Sequence, residues 1–235
     1  MTVPPGQVLK EARAAVKAGD HALALERYER FFDRALLDQG NGNNYYGVRL
    51  SYCLDEWSCL GKKYPVALAR LETKAIEALA AFEKSADYEK FHDYKSIQNY
   101  LGRKEMVLSQ FEQYHHSKPE LAQVVLDLMW NSLIEAKRWG ICSAYLDDYE
   151  SRYKRALHKF DQSMKICMED PTLGGEEFAD QIKGWYVRDV GNLLCALRNA
   201  GQQDAFEKLN AVISVDMQAR RHPELLKRVS EQAVL

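Results

Sequence analysis

A glycine recurs at nearly constant spacing along this chain, and each one lies between two segments with the periodicity of amphipathic helices. The first three spacings are 42, 41 and 38 residues, and the last is 61 residues. The five positions are Gly19, Gly61, Gly102, Gly140 and Gly201. A repeat of this length, with a helix on either side of a turn, is typical of stacked helical hairpins, so we expect an all-α protein of about ten to eleven helices.

Apolar residues stand at equivalent positions when the hairpins are aligned on these glycines, as a stack of hairpins requires. The residue directly before the glycine is apolar in all five hairpins: Ala18, Leu60, Leu101, Trp139 and Ala200. At four positions before the glycine, only Gln98 is polar. An irregular helical bundle is the alternative to a repeat, because any pair of amphipathic helices shows part of this agreement.

Capping residues and prolines set the predicted helix boundaries. Asp20 and Asp87 are predicted N-caps, and Pro65 and Pro119 are predicted in the first turns of their helices. The pattern over 141–168 predicts one long helix. We predict a single domain over 1–235, with hairpins over roughly 5–38, 44–84, 87–116, 119–169 and 175–219 and a C-terminal capping helix over 222–232.

Small and aromatic residues surround the first of these glycines, in the pattern Ala12-x-x-Ala15-x-x-x-Gly19-Asp20-His21-x-x-Ala24-Leu25-x-x-Tyr28. This pattern resembles a tetratricopeptide repeat. In that family, a small residue seven before the turn glycine, an alanine five after it and an aromatic residue nine after it form the contact between paired helices. Ala12, Ala24 and Tyr28 match these three positions. The resemblance weakens along the chain, and the spacing exceeds the family period of about 34 residues.

The resemblance implies a right-handed superhelical stack of antiparallel hairpins whose first helices line a concave groove. In the family, such a groove binds a peptide or a protein segment. The family register places the following side chains of this chain on the concave face: Arg13, Asp55, His92, Asn99, Trp130, Lys137 and Arg198. Tryptophan and arginine are frequent in interface hot spots. The resemblance therefore implies a non-enzymatic module with a protein or peptide partner; a core position is the alternative for Trp130.

Two other roles fit the same fold. A dedicated inhibitor, such as a toxin-neutralising immunity protein, would present a concentrated patch, and the densest aromatic cluster is Tyr45-Tyr46-x-x-Arg49-x-x-Tyr52 with Trp57. Packing between helices is the alternative interpretation of that cluster. A regulator that senses a small molecule would bind it within the helical coil. The sequence leaves these alternatives open.

Charge and composition exclude several classes of partner. The chain has 32 Lys and Arg against 34 Asp and Glu, a net charge of -2, which predicts no nucleic-acid binding. The most apolar stretch, 121–134, contains polar residues and falls short of a membrane span. Without a recognisable signal peptide, we expect a cytoplasmic protein. The last helix, with Leu225, Leu226 and Val229, is predicted either to cap the stack or to form a homodimer seam.

Residues with catalytic or metal-binding chemistry do not form a recognised motif. His115 and His116 are adjacent, so they point about 100° apart on a helix and cannot ligate one metal together. The five cysteines are scattered and never spaced as Cys-x-x-Cys, which predicts reduced, half-buried thiols. The acidic run 147–150 followed by Arg152, Lys154 and Arg155 predicts a solvated, mutually paired helix face. We therefore predict no enzymatic activity, no cofactor and no metal.

Overall fold

The computed structural model describes residues 3–37, 45–170 and 175–234, and every regular element in these ranges is helical. The all-α prediction is confirmed. The helices are α1 (Pro5–Ala18), α2 (His21–Arg34), α3 (Tyr46–Val48), α4 (Leu54–Gly61), α5 (Pro65–Ser85), α6 (Tyr88–Tyr100), α7 (Lys104–Ser117), α8 (Pro119–Glu135), α9 (Trp139–Ser143), α10 (Tyr149–Glu169), α11 (Gly175–Asn199), α12 (Gln203–Ala219) and α13 (Glu224–Gln232). A π-helical segment, Arg49–Cys53, joins α3 to α4. The predicted hairpin boundaries at 38 and 44 lie outside the described residues.

The contacts along the chain separate two compact units, Met1–Leu126 and Asp127–Leu235, which we call unit 1 and unit 2. The division falls within α8. The single repeat domain and its superhelical stacking stay predictions.

Helix beginnings follow the predicted local signals. The carboxylate of Asp20 accepts a hydrogen bond from the backbone N–H of Leu23 at 3.0 Å, and Asp87 accepts one from Glu89 at 3.0 Å. Both side chains therefore satisfy a backbone donor that the first turn of a helix leaves unpaired. Pro65 and Pro119 are the first residues of α5 and α8, where the missing N–H of proline costs no hydrogen bond.

Three of the five recurring glycines end a helix in the left-handed conformation. Gly19, Gly102 and Gly201 have φ of 78°, 73° and 73°. In each case the next residue donates its backbone N–H to the carbonyl five positions earlier: Asp20 to Ala15, Arg103 to Gln98 and Gln202 to Leu197, at 2.8–3.0 Å. This is the bonding of a Schellman turn, which favours glycine because a side chain is strained at positive φ.

The other two glycines do not have this role. Gly61 lies at a close approach between α4 and α5, where an added Cβ would stand 3.1 Å from the Cβ of Leu68. Gly140 lies in α9 with open space around it. In the fourth turn the left-handed residue is Lys137, with φ of 55°. The next residue, Arg138, donates its backbone N–H to Leu133 O at 2.9 Å. The glycine spacing thus located three turns by their backbone conformation and missed the fourth by three residues.

Lys137 gives a direct test of this turn. Because a non-glycine residue is strained in the left-handed region, Lys137→Gly is expected to raise the free energy of unfolding by about 1 kcal/mol. The measurement is urea-induced unfolding followed by circular dichroism. Lys137→Ala is the matched control, since it removes the same exposed side chain and keeps the strain. Equal stability of the two variants would contradict a left-handed Lys137.

The predicted long helix over 141–168 is wrong, because the chain turns between α9 and α10. Leu146 lies in that turn and is completely buried, as is Cys142 in α9. Asp147 and Asp148 come directly before α10. Aspartate is favoured at the start of a helix, where the backbone N–H groups are unpaired. Asp148 is the N-cap of α10 but makes no side-chain capping hydrogen bond, so the two aspartates favour this helix start through the helix dipole.

The core of unit 1 contains an ion pair as well as aromatic side chains. The guanidinium of Arg49, in the π-helical segment, donates to the carboxylate of Asp93 on α6, and both residues are buried. The same guanidinium lies 4.5 Å from the ring centroid of Phe32. Trp57 is completely buried and donates its indole N–H to Ala67 O at 2.9 Å.

Helix α11 is central to unit 2, since all residues from Val190 to Leu197 are buried. Helix α13 packs against it, with Leu225 and Val229 almost completely buried. The last helix therefore covers unit 2 of its own chain with these two side chains, and its role as a cap or a homodimer seam stays a prediction.

The cysteines are mostly interior residues. All five are free thiols; Cys53, Cys142, Cys167 and Cys195 are buried, and Cys59 is exposed. Burial raises the pKa of the Cys142 thiol to about 12, so the nucleophilic thiolate is disfavoured there. Half-burial was predicted for all five cysteines, whereas four of them are buried and Cys59 is exposed.

Candidate binding cleft

One face of α10 carries a stripe of cations. Arg152, Arg155 and Lys159 are spaced three and four residues apart, which places them on the same side of the helix. Ala156 lies within the stripe and leaves space beside the long side chains. The sequence of α10 thus produces a basic strip with a small residue at its centre.

This strip forms one wall of a cleft in unit 2 with a volume of about 350 Å³. The cleft, which we call the basic cleft, lies between α10, α11 and the C-terminal part of α8. It is lined by Asp127, Trp130, Asn131, Arg152, Arg155, Ala156, Lys159, Arg188, Asp189, Val190 and Leu193. Four cations against two carboxylates give the lining a net formal charge of +2. The volume lies in the range of about 300–1,000 Å³ that is usual for ligand sites.

Arg152 is fixed in position by two contacts. Its guanidinium lies 4.6 Å from the ring centroid of Trp130 and donates to the carboxylate of Asp127 at 2.9 Å. The Arg152 side chain is only 12% exposed, whereas that of Asp127 is 65% exposed. A cation over an indole face is held by the ring quadrupole. The arginine therefore has an aromatic and an acidic partner without a ligand, while its carboxylate partner faces water.

The other cations of the cleft are more accessible. Arg155 lies 3.5 Å from the carboxylate of Asp148, and Arg188 lies 3.2 Å from that of the neighbouring Asp189. The side chains of Arg155 and Arg188 are 55% and 48% exposed. Asp148 accepts a hydrogen bond from Ser151 and lies beside Arg155, which together hold the pKa of its carboxyl below the ordinary value. Exposed ion pairs of this kind contribute little to stability, so a ligand can replace them.

A narrow extension continues the cleft along α10 and α11. The ammonium of Lys159 lies 5.8 Å from the ring centroid of Trp185, and both residues line this extension with Phe160 and Tyr186. Each end of the groove therefore has a cation over a tryptophan. The extension has a volume of only about 10 Å³, so it accommodates no more than a water-sized group.

A polar ladder supports the cleft from within unit 2. The amide of Asn192 donates to Asn131 Oδ1 at 2.8 Å, and Gln232 donates to Asn192 Oδ1 at 2.8 Å. Asn131 belongs to the lining, Asn192 is buried in α11, and Gln232 is the last residue of α13. The ladder joins three helices, so the position of Asn131 in the cleft depends on the packing of α13.

Three residues of the predicted concave face lie in unit 2, and one of them is in the basic cleft. Trp130 lines it, although the residue is only 6% exposed because Arg152 covers the ring. Lys137 lies in the turn after α8. Arg198 stacks on Phe206, 4.7 Å from its ring centroid, and donates to Ala233 O at 3.2 Å. Lys137 and Arg198 are not part of the cleft lining.

The remaining predicted residues lie in unit 1. Arg13 on α1 forms a forked pair with Glu56 on α4, at 2.7–3.0 Å. His92 on α6 is half-buried, with Nδ1 2.6 Å from the Tyr46 hydroxyl, and burial lowers its pKa. Asp55 and Asn99 are exposed on α4 and α6. Their assignment to a concave face stays a prediction.

Packing accounts for most of the aromatic cluster that the inhibitor alternative singled out. Trp57 and Arg49 are buried, and Tyr45 packs edge-on against Phe31, 5.7 Å between centroids. Tyr52 is 62% exposed. The cluster therefore presents a single exposed ring rather than a continuous patch.

The basic cleft was not predicted from the sequence, and only two of its four cations, Arg152 and Arg155, were singled out there. The run around Arg152 predicted a solvated face because acidic and basic residues alternate there. That interpretation is wrong for Arg152, which packs on Trp130. The spacing of Arg152, Arg155 and Lys159 could have indicated the cleft, because it places three cations on one helix face. The pattern of α10 could not indicate Arg188, because that residue belongs to α11.

Comparisons with family models, with curated proteins and with solved structures find no match to this chain. Within the described ranges, no helix has the length and apolar character needed to cross a bilayer. Among the described residues, no group of three or more histidine, cysteine or carboxylate side chains is placed to hold a metal ion.

Proposed function

We propose that this chain is a non-enzymatic interaction module that binds an acidic segment of a protein partner in the basic cleft of unit 2. One observation carries the proposal: four cations line an open cleft, and the guanidinium of one of them, Arg152, lies over the ring of Trp130. Guanidinium and ammonium groups donate hydrogen bonds and accept none, so the cleft suits a ligand rich in anionic acceptors.

The composition of the cleft favours a peptide segment. Arginine forks match carboxylate geometry, and tryptophan with arginine is typical of interface hot spots. Val190 and Leu193 belong to the lining but are buried, so binding depends on the charged and aromatic side chains around them.

We also propose a divergent tetratricopeptide-like stack as the architecture that holds the cleft. The support comes from the first hairpin, where Ala12, Ala15 and Ala24 are buried and α1 packs on α2. The small side chains let the two helices approach closely. The Schellman turns at Gly19, Gly102 and Gly201 add the expected chain reversals.

Sensing of a small anionic molecule is the second candidate, because the cleft volume of about 350 Å³ also suits a compact ligand. A dedicated inhibitor would use the same cleft for one partner. Binding of free anions without any affinity for peptides would favour the sensor, and one tight partner would favour the inhibitor.

Charge reversal at Arg155 tests the proposal. Arg155→Glu is expected to weaken binding of short degenerate peptides with two central glutamates by about tenfold or more, the energy of one charge-assisted hydrogen bond. Fluorescence polarisation of the labelled library measures the affinity.

Lys154→Glu is the matched control, since it makes the same charge change at the neighbouring exposed position on α10, outside the lining. We expect this variant to bind like the unmodified protein. Equal losses in both variants, or no binding of the library by the unmodified protein, would contradict the assignment.

A further inference from the structure

The charge of the basic cleft sets the charge of the ligand that neutralises it. The lining has a net formal charge of +2. A single carboxylate supplies one negative charge, whereas a phosphomonoester supplies about −1.5 to −2 at neutral pH. One phosphomonoester group therefore balances the cleft, while two carboxylates would have to enter together.

The donors of the cleft are of the kinds that bind a phosphomonoester in proteins. Arg152 and Arg155 come from α10 and Arg188 comes from α11, so guanidinium groups approach from two helices. Each guanidinium offers a planar fork of N–H donors, and a phosphomonoester has three strong acceptor oxygens. A carboxylate has only two oxygens and is saturated by fewer forks. Lys159 adds a point charge at the start of the extension.

The carboxylates paired with Arg152 and Arg155 are exposed, so a ligand anion can displace them from the two guanidinium groups. Asp127 and Asp148, the partners of Arg152 and Arg155, have side chains that are 65% and 63% exposed. They regain water when a ligand anion replaces them, so the exchange requires no change in the core. Arg152 keeps its contact with Trp130 during that exchange.

We infer that the basic cleft is a phosphomonoester site formed by Arg152, Arg155, Lys159 and Arg188, an inference that rests on the proposed function and names the acidic group in the bound segment. The group has two sources with the same chemistry: a phosphorylated side chain of a protein segment, or a free phosphate ester. The first source is the one that the proposed function requires.

Matched peptide libraries test the inference. Degenerate peptides with a central phosphoserine, a central glutamate pair or a central serine are titrated against the full chain, together with free phosphoserine and inorganic phosphate. We expect the phosphoserine library to bind about tenfold more tightly than the glutamate library, and the serine library not to bind.

Two further measurements test whether the bound group is the doubly charged form of a phosphomonoester. The affinity for the phosphoserine library is expected to fall about tenfold as the pH is lowered past the second phosphate pKa of about 6. The titrating group is on the ligand; it faces Asp127 from α8, Arg152, Arg155 and Lys159 from α10, and Arg188 and Asp189 from α11. The glutamate library, measured in parallel, controls for any titration of these groups. Arg188→Lys keeps the charge but loses the fork, so it should weaken phosphoserine binding more than glutamate binding.

Each outcome bears on a different claim. Equal affinities of the phosphoserine and glutamate libraries, both lost in Arg155→Glu and kept in Lys154→Glu, would overturn the phosphomonoester site and leave the proposed function standing. Free phosphoserine binding as tightly as the library would support the site and overturn the protein segment as its source. Failure of every probe would overturn both. Circular dichroism of each variant confirms that the helices are intact.

Discussion

Replacing Asp93 with alanine is expected to lower the free energy of unfolding by about 3–5 kcal/mol, because the substitution leaves the guanidinium of Arg49 buried without its counter-ion. Arg49 is 3% exposed, and its Nε atom has no hydrogen-bond partner among the residues that the structure describes. The ring of Phe32 compensates only part of a buried positive charge. Urea-induced unfolding followed by far-UV circular dichroism measures the loss.

Two further variants separate the lost ion pair from a general effect of removing a carboxylate. Asp55→Ala removes an exposed acidic side chain in the same unit, and its effect should stay within about 0.5 kcal/mol. The double variant Arg49→Leu with Asp93→Ala should regain most of the stability, since no unpaired charge remains. A loss below about 1 kcal/mol in Asp93→Ala would show that Arg49 reaches water or another acceptor.

Substitution of Gly191 by alanine is the second change with a large expected effect. An added Cβ would stand 2.5 Å from the Cβ and Cγ of Gln232 and 3.2 Å from Val229 O, so α13 must move away from α11. Overpacking of this kind costs about 1–3 kcal/mol, and the hydrogen bond from Gln232 to Asn192 would be lost with it. Thermal unfolding monitored by circular dichroism should show a melting temperature several degrees lower.

Gly184 is the matched control on the same helix. An added Cβ there meets nothing within 4 Å, and its φ is not in the left-handed region. Gly184→Ala should therefore stabilise the protein by about 0.5–1 kcal/mol, as expected for glycine to alanine within a helix. If both alanine variants had the same melting temperature, the close approach of α13 to Gly191 would be refuted.

The sequence determined the features of this protein that depend on neighbours within one helical turn. The caps at Asp20 and Asp87 are hydrogen bonds over two or three residues, so their partners are adjacent in the sequence. The left-handed turns at Gly19, Gly102 and Gly201 follow from the freedom of glycine at positive φ. The caps were predicted at these positions, and the three glycines were predicted to separate helices, because both kinds of feature depend on residues close in the sequence.

Tertiary structure decided the features whose partners are distant in the chain. Lys137 adopts the left-handed conformation in the fourth turn, although Gly140 lies three residues later. The helix is interrupted between α9 and α10, where Leu146 is buried. Local preference is weak compared with the burial of an apolar side chain, so packing determines such positions.

The candidate site shows the same division. The spacing of Arg152, Arg155 and Lys159 on one face of α10 can be predicted from the sequence, because helical periodicity alone fixes it. The role of that face cannot, since it depends on Trp130 from α8 and Arg188 from α11. A stripe of cations that faces water is a solvated surface, and the same stripe against an indole and a third helix is a cleft. Which of the two exists is determined by the packing of distant segments, because only that packing sets the water access and the partners of each charge.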